Sequence, residues 1–457
     1  MSQVVPDGVY SDDVDTAALQ AAFTTGEFPV AVYGLGKMGL PLAVVFGDVT
    51  GNVVGADTDR DVVESVNRGG CHVKNEPGLQ DLVAELTQDD ALSAVEEPEQ
   101  AATDAAIHVL IVPTPITDDN EPDLSILEAA SRSVAAGLDP GDLVIVECTV
   151  PPGTTEGLVR ETLEAESGLE VGEFGLAFCP ERTASGRALE DIRGEYPKVV
   201  GGVDEASRRV AELLYEEINS TGVISVSDAR TAEAVKVFEG LYRDVNIALA
   251  NELARFTDEM GVDVREAIEV ANTQPFCDIH DPGPGVGGHC IPFYPYFMIE
   301  PFETEAPLLR TAREVNDAMP EFTVETLRRE LEAEGTELSN ASVLLLGLTY
   351  RPGVEESRAS PSRAIAEPLS EAGVDVFGVD PMLDTADEFA LEQINIESVY
   401  NHPVDGIVMV TPHEEFDDLQ WSELGRVSGS VVIDGRDTLD IESTAHRVYT
   451  IGRGHNV

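Results

Sequence analysis

The sequence predicts an α/β protein in which two domains with parallel sheets flank a central domain built on a long helix. Three observations predict this class. Apolar, strand-like runs alternate with helical segments from residue 28 and again after about 335, a GxGxxG pattern follows the first run, and an uninterrupted amphipathic stretch separates the two alternating parts. Such alternation is typical of parallel sheets covered by helices.

The N-terminal elements follow from local patterns. Residues 1–27 are acidic and turn-rich, which predicts an extension or a short capping helix. From residue 28, FPVAVYGLGKMGLPLAVVFG predicts a buried strand, a glycine turn and a helix, and NVVGADTD predicts a second strand. Further apolar strands are predicted in HVLIVP (108–113), DLVIVEC (142–148), FGLAFCP (174–180) and KVVGG (198–202). We therefore assign residues 28–225 to a first, Rossmann-type domain.

The middle and the end of the chain differ in the spacing of their apolar residues. Residues 226–334 form a predicted central domain, because AEAVKVFEGLYRDVNIALANELARFTDEMGV is one amphipathic segment without an internal proline. The glycine- and proline-rich stretch 281–295 interrupts the helical pattern that follows. Residues 335–457 form a second α/β domain, with strands predicted in ASVLLLGL (341–348), VDVFGVD (374–380), GIVMVTP (406–412) and SVVIDGR (430–436).

The charge is extreme, with 86 acidic against 28 basic residues and a formal net charge of −58. Such a field repels phosphate polymers, so we expect no nucleic-acid partner. The acidic residues are spread along the chain, which favours a solvated surface suited to high salt over an acidic docking surface. No run of about 18 apolar residues and no signal-like N-terminus occur, so we expect a cytoplasmic protein without a membrane partner.

The five cysteines form no CxxC pair and no evident framework, so neither a zinc site nor a disulfide scaffold is predicted. Cys290 differs from the others because it lies in Gly287-Gly288-His289-Cys290, where small residues leave a thiol accessible. A thiolate can attack a carbonyl and pass an aldehyde on to a thioester. Local sequence alone leaves two readings of this stretch open, a nucleophile or a tight structural turn.

The GxGxxG pattern is Gly34-Leu35-Gly36-Lys37-Met38-Gly39, placed after a strand and at the start of a helix. Such glycines allow a tight turn and close approach of a pyrophosphate to the helix N-terminus, while Asp57, at the end of the next strand, can accept hydrogen bonds from a ribose diol. We predict NAD, which contacts Gly34, Gly36, Met38, Gly39 and Asp57. A 2′-phosphate would be repelled by Asp57, and a glycine turn without a ligand is the alternative.

Two threonines and a lysine complete the candidates found from local sequence. Thr114 and Thr149 follow predicted strands in VPTP and ECTVPPGTT, and carboxyl strand ends are where ligands bind in such sheets. Both hydroxyls are predicted to face the nicotinamide half of the cofactor. Lys236 lies among apolar neighbours on the long helix; it either extends to solvent or stabilises a developing alkoxide.

Taken together, these motifs resemble the nucleotide-sugar 6-dehydrogenases. The resemblance runs from about residue 28 to 440. Its marks occur in family order: GLGKMGLP, VPTP, ECTVPPGTT, FCPERTASG, AEAVKVFEGLYRDVNIALANELA, GPGVGGHCIP and YRPGVEESRASPS. It implies a C-terminal UDP-binding domain and oxidation of a sugar C6 hydroxyl to the acid, with two NAD consumed and a thioester on Cys290.

The resemblance also implies roles for individual residues. Lys236 would steady the oxyanion, and Glu181 and Thr149 would position or activate water. Contacts to the UDP-sugar are implied for Arg182, Thr183, Lys236, Arg243, Gly287, Tyr350, Arg351 and Arg436. Arg358 would contact NAD. No metal is implied.

GPGVGGHCIP together with NEPGL (75–79) resembles the branch that acts on N-acetylated sugars, which favours UDP-N-acetylmannosamine over UDP-N-acetylglucosamine or UDP-glucose. Three positions depart from the family pattern. Gly240 replaces an asparagine, Phe276 replaces an arginine that serves a neighbouring subunit, and Tyr294 replaces an aspartate, which would leave Lys236 without a carboxylate partner.

Three hypotheses follow. The first is an enzyme that makes a UDP-linked uronic acid and forms a homodimer through the long helix. The second is a non-catalytic paralogue that binds NAD and UDP-sugar without turnover. The third is an NAD-linked dehydrogenase that stops at the aldehyde and does not need Cys290. Two NADH per sugar would support the first hypothesis, and one NADH per sugar would support the third. Binding without formation of NADH would support the second.

Overall fold

The computed structural model describes residues 8–11, 15–439 and 445–455. The start of the predicted N-terminal extension and a short stretch of the last predicted domain lie outside these residues. The chain forms two compact units. The first runs to Phe238 and includes Tyr296–Glu303, and the second contains Glu239–Pro295 and the chain from Thr304 onward.

The first unit is an α/β unit. Its helices are α1 (Thr16–Thr24), α2 (Gly39–Thr50), α3 (Arg60–Asn67), α4 (Leu79–Gln88), α5 (Pro98–Asp104), α6 (Ser125–Ala135), α7 (Arg160–Ser167), α8 (Ala188–Glu190) and α9 (Glu205–Glu216). Its strands are β1 (Val30–Tyr33), β2 (Val53–Ala56), β3 (Leu92–Val95), β4 (Ile107–Leu110), β5 (Leu143–Val146), β6 (Gly175–Phe178), β7 (Lys198–Gly202) and β8 (Val223–Ser225).

In the described part of this unit the strand order is β3-β2-β1-β4-β5-β6-β7-β8. The pairing is parallel except between β6 and β7, so the sheet is predominantly parallel, as predicted, with one antiparallel pair. Both faces of the sheet are buried. On β1, Val30 and Val32 pack into one core and Ala31 and Tyr33 into another, which explains why the strand is apolar without alternation.

Helix α10 (Ala229–Arg255) contributes its start to the first unit and its remainder to the second. The predicted helical segment is real but shorter than the amphipathic pattern, because the chain leaves the helix after Arg255 and turns at Gly261 (φ +62°). The remaining helices are α11 (Thr257–Met260), α12 (Val264–Ala271), α13 (Tyr296–Ile299, in the first unit), α14 (Pro307–Asp317), α15 (Met319–Ala333) and α16 (Pro361–Glu371).

The second unit has its own sheet, built from β9 (Ser342–Leu346), β10 (Asp375–Val379), β11 (Glu392–Gln393), β12 (Gly406–Met409), β13 (Val431–Asp434), β14 (Arg447–Thr450) and β15 (Gly454–His455). Among the described residues the order is β11-β10-β9-β12-β13-β14-β15, parallel except for β14 with β15. The α/β fold class predicted for both ends of the chain is confirmed.

The two sheets share a detail that the sequence did not reveal. After β1, Gly34 has φ +94° and the Leu35 N–H donates to the Asp57 carboxylate at 2.8 Å. After β9, Gly347 has φ +88° and the Leu348 N–H donates to Asp380 at 2.6 Å. In each sheet, therefore, the first strand in chain order ends in a glycine turn, and the N–H after that glycine donates to an aspartate that directly follows the neighbouring strand.

Candidate active site

The turn after β1 contains two glycines that the fold requires and one that leaves room for a ligand. A Cβ on Gly34 would lie 2.8 Å from the Ile111 carbonyl oxygen, and one on Gly39 would lie 1.8 Å from the Gly34 oxygen. A Cβ on Gly36 would meet no heavy atom of the described chain within 4 Å. The open space at Gly36 is where a ligand can approach the backbone.

Helix α2 begins at this turn, and within the described chain no side chain caps its first residues. Its N–H groups are therefore available to an anion, with the favourable end of the helix dipole behind them. The Asp57 carboxylate accepts hydrogen bonds from Leu35 N and, at 2.9 Å, from Asp59 N, which fix its orientation at the end of β2. Donors for a pyrophosphate and an acceptor for a ribose are thus present, so these residues fit NAD.

The predicted threonines after β4 and β5 lie side by side. The two strands pair in parallel, with Leu110 opposite Val146, so the segments that follow them meet at one edge of the sheet. The Thr114 hydroxyl donates to the Thr149 carbonyl oxygen at 2.6 Å. The Thr114 hydroxyl proton is therefore engaged by the neighbouring loop, and its oxygen remains able to accept a hydrogen bond.

Lys236 does not extend to solvent, so that alternative is wrong. Its side chain is 8% exposed, and its ammonium donates to the Glu181 carbonyl oxygen and lies 3.5 Å from Glu181 Oε2. The expectation that Lys236 lacks a carboxylate partner is also wrong, because Glu181 supplies one from the loop after β6. A buried ammonium held in this way is pre-oriented to stabilise negative charge.

The FCPERTASG loop arranges the neighbouring side chains. The Glu181 carboxylate accepts from Thr183 N and from the Thr183 hydroxyl at 2.6 Å, and that hydroxyl also contacts the Met38 sulfur at 3.0 Å. The Arg182 guanidinium stacks on the Tyr196 ring, 5.1 Å from its centroid. Glu181, Arg182 and Thr183 thus lie together beside the glycine turn.

In the second unit Cys290 lies at an exposed turn. The N–H groups of Phe293 and Tyr294 donate to the Cys290 carbonyl oxygen at 3.0 and 2.9 Å, and the Cys290 residue is exposed. Upstream, the Gly288 N–H donates to the Arg358 carbonyl oxygen at 3.0 Å. The local sequence is therefore both a tight turn and a loop that presents a thiol.

The YRPGVEESRASPS segment packs against this cysteine loop. A Cβ on Gly287 would lie 2.6 Å from the Ala359 carbonyl oxygen, and one on Gly288 would lie 2.7 Å from the Tyr350 ring. His289 Nε2 lies 2.9 Å from Glu356, and the Arg358 guanidinium lies 3.3 Å from His289 Nδ1. The structure therefore brings Gly287, Cys290, Tyr350 and Arg358 together.

Three family models match in order: the NAD binding domain of the UDP-glucose/GDP-mannose dehydrogenase family at residues 28–219, its central domain at 230–318 and its UDP binding domain at 344–441. The chain is 38% identical to UDP-N-acetyl-D-mannosamine dehydrogenase of Pyrococcus horikoshii over 427 residues, which cover 93% of this chain and 99% of the relative.

The chain belongs to the UDP-glucose/GDP-mannose dehydrogenase family. It is therefore an NAD-dependent nucleotide-sugar dehydrogenase, as predicted.

A solved structure and a second relative also match most of the chain. The solved structure of UDP-D-ManNAc dehydrogenase from Pyrococcus horikoshii matches with a TM-score of 0.84 at 35% identity, over 93% of this chain and 99% of that one. The NDP-N-acetyl-D-galactosaminuronic acid dehydrogenase of Ralstonia nicotianae is 36% identical over 89% of this chain and 95% of its own length.

Within this dehydrogenase, burial distinguishes the cysteines. Burial raises the pKa of the Cys148 thiol to about 12 and raises that of Cys179 well above its ordinary value. Neither is a nucleophile at neutral pH. Burial also raises the pKa of Cys71, whereas Cys290 is exposed.

The other predicted substrate residues in the second unit are placed as follows. Arg436 Nε donates to the Val410 carbonyl oxygen at 3.1 Å and a terminal nitrogen lies 3.4 Å from the Gly285 oxygen. Burial, with the like charge of Arg265, lowers the Arg436 pKa to about 10. Arg351 is half-buried after β9, and Arg243 is exposed on α10.

Sequence reasoning missed a buried cluster beside Glu181. Glu147 accepts from Lys198 Nζ at 2.7 Å and from the Tyr215 hydroxyl, and these residues line one cavity with Glu181 and Arg182. Burial raises the Glu147 pKa, and the Lys198 ammonium opposes that shift. The only available signal was the position of Glu147 near the end of a predicted strand.

A second missed residue is Glu76 of the NEPGL segment. Its carboxylate accepts from the backbone N–H groups of Gly186 and Ala188, the latter at 2.9 Å. NEPGL therefore fixes the end of the FCPERTASG loop that begins with Glu181. Asn251 of α10 acts similarly in the second unit, since its side chain accepts from Gly283 N at 2.9 Å at the start of the cysteine loop.

Proposed function

We propose that this dehydrogenase oxidises the C6 hydroxyl of UDP-N-acetyl-D-mannosamine to the uronic acid in two steps. The observation that carries the proposal is the exposed Cys290 thiol on a glycine loop in the unit that contains the UDP-binding domain. The choice of sugar is supported by relatives that are named for N-acetylated sugars. UDP-N-acetylglucosamine and UDP-glucose are the next candidates.

NAD would supply the hydride acceptor. The residues that would hold it are Gly34, Gly36, Met38, Gly39 and Asp57, together with Thr114, Thr149 and Arg358. In the first step the C6 alcohol would give its hydride to NAD and release its proton to solvent, and would become an aldehyde. Lys236 stabilises the oxyanion, because Glu181 holds its ammonium in a buried position.

In the second step the Cys290 thiolate adds to the aldehyde carbon. The resulting hemithioacetal would give a second hydride to a second NAD and become a thioester, and water would then displace the thiolate to leave the carboxylate. Glu181 and Thr149 position or activate that water. The remaining proposed substrate contacts come from Arg182, Thr183, Arg243, Gly287, Tyr350, Arg351 and Arg436.

The decisive experiment incubates the full chain in molar KCl with NAD and each UDP-sugar, and measures NADH absorbance and the product mass. We expect two NADH per uronic acid, fastest with UDP-N-acetylmannosamine. One NADH per sugar would indicate an enzyme that stops at the aldehyde. Binding of NAD and UDP-sugar without reduction would indicate the non-catalytic paralogue.

A substitution tests the nucleophile directly. Cys290→Ser should lower uronic acid formation at least 100-fold, because a serine hydroxyl is a weak nucleophile at neutral pH. Cys277→Ser, in the same unit, is the matched control and should retain activity within twofold. Unchanged acid formation by Cys290→Ser would remove Cys290 from the mechanism.

We also propose that the enzyme is a homodimer and works in a salt-accumulating cytoplasm. Tyr242 and Leu249 on α10 and Phe256 directly after it are 52%, 48% and 44% exposed, and their seven-residue spacing puts them on one side of this stretch. A second copy would bury this apolar face.

The net charge of −58 supports a high-salt setting, and the absence of disulfides in the described chain is consistent with a reducing compartment. No described helix is long and apolar enough to cross a bilayer.

A further inference from the structure

The Tyr294 ring occupies the space where a side chain on Gly240 would stand. A Cβ built on Gly240 would lie 1.5 Å from Tyr294 Cδ2 and 2.5 Å from Cε2 and Cγ. Tyr294 is only 4% exposed. Glycine in a helix interior is less stable than alanine, so its presence in the middle of α10 is explained by the ring that needs the space.

Tyr294 is also tied to the nucleophile. Its N–H closes the turn onto the Cys290 carbonyl oxygen at 2.9 Å, so the ring and the thiol stand at opposite ends of one turn. On the upstream side Gly288 is held by its N–H bond to Arg358 and by its contact with the Tyr350 ring. The Cys290 turn is therefore fixed on both sides, and the downstream anchor is the Tyr294 ring against Gly240.

We infer that the Tyr294 ring, which packs against Gly240, positions Cys290 in this enzyme. The family pattern that the sequence resembles implies an asparagine and an aspartate at these two positions. We expect that neither position tolerates the asparagine or the aspartate alone. An asparagine at 240 would begin with a Cβ inside the ring, and an aspartate at 294 would leave the volume of the ring empty. The two replacements are complementary and act as one unit.

The inference rests on the proposed function for its catalytic consequence, but its structural part can be tested without substrate. The first measurement is deuterium uptake of the peptide spanning residues 286–297 by mass spectrometry. Gly240→Ala should raise the exchange rate there at least tenfold, because the displaced ring releases the Tyr294 N–H. Gly157→Ala is the matched control, since Gly157 is also a helical glycine and its Cβ would meet no described atom within 4 Å.

The second measurement is turnover. Gly240→Ala should lower kcat for uronic acid formation at least 50-fold and change KM for NAD less than twofold, because the nucleophile is misplaced and the cofactor site is not. Tyr294→Phe keeps the ring and should retain kcat within threefold. The pair Gly240→Asn with Tyr294→Asp should be at least tenfold more active than either single variant.

The outcomes separate the two proposals. If Gly240→Ala exchanges no faster at 286–297 than Gly157→Ala, or if the double variant is no better than the singles, Tyr294 does not position Cys290. Should Gly240→Ala fail to fold, the double variant still decides by its recovery of folding and exchange protection. A wild-type enzyme that reduces no NAD with any sugar contradicts the proposed function, while the exchange data still decide this inference.

Discussion

Glu233 shows how one buried carboxylate organises a loop. It is fully buried on α10, and it accepts from the backbone N–H groups of Thr155, at 2.7 Å, and of Gly153. These residues belong to the PPGTT turn that follows Thr149. Burial raises the Glu233 pKa from 4.5 to about 7, with the hydrogen bonds opposing the shift. The carboxyl group therefore titrates close to neutrality.

This shift predicts a pH dependence of stability. Below pH 4.5 the group is neutral in both states and costs nothing. As the pH rises to 7 the unfolded chain ionises while the folded chain keeps its proton, so stability falls by about 1.4 kcal/mol per pH unit, on the order of 3 kcal/mol in total. Glu233→Gln does not titrate, so relative to the wild type its Tm should gain about 5 °C between pH 5 and pH 8. A Tm difference that is the same at both pH values would contradict the assignment.

Lys236 shows what the sequence could and could not predict at this scale. Its position on a helix among apolar neighbours made it a candidate, but its partner Glu181 lies 55 residues earlier. Such a pairing depends on where the loop after β6 ends, which periodicity does not encode. The packing of the Tyr294 ring against Gly240 could not be predicted for the same reason. Each residue alone was visible only as a departure from the family pattern.

At the scale of elements, the turn between β1 and α2 makes a prediction that separates folding from binding. Gly39→Ala places a Cβ 1.8 Å from the Gly34 oxygen and should lower Tm by several degrees. Gly36→Ala enters open space, so Tm without ligand should change by less than about 1 °C while NAD affinity falls at least tenfold. Thermal unfolding and calorimetric titration with NAD check both. Equal affinity of Gly36→Ala and wild type would place the pyrophosphate elsewhere.

The elements that were predicted and those that were missed differ in their burial. β1, β4 and β5 are buried at every position because both faces of the sheet are covered, and apart from His108 in β4 their residues form apolar runs that are visible in the sequence. β3 was missed because it is a short strand at the sheet edge with an exposed serine. The antiparallel β7 was found as a strand, but its direction depends on the connection after β6, which the apolar pattern does not specify.

At the scale of the whole molecule, the net charge controls how copies of the chain interact. A net charge of −58 makes the copies of the chain repel one another. At about 0.1 M salt the screening length of this repulsion is roughly 10 Å. At 1 M salt the screening length falls to about 3 Å, so only charges in near contact still interact. An apolar face on α10 can then associate with a second copy although both copies are acidic. Association and salt are thus expected to be coupled.

The last prediction follows from this coupling. In 2 M KCl the wild type should have twice the chain mass by light scattering, and it should shift toward the monomer at 0.1 M KCl. Leu249→Glu combined with Phe256→Glu should be monomeric at both salt concentrations, because it buries carboxylates in the proposed interface. Val427→Glu, at a fully exposed position, is the control and should remain dimeric in 2 M KCl. A dimer in the α10 double variant would place the interface elsewhere, and a monomeric wild type in 2 M KCl would contradict the dimer itself.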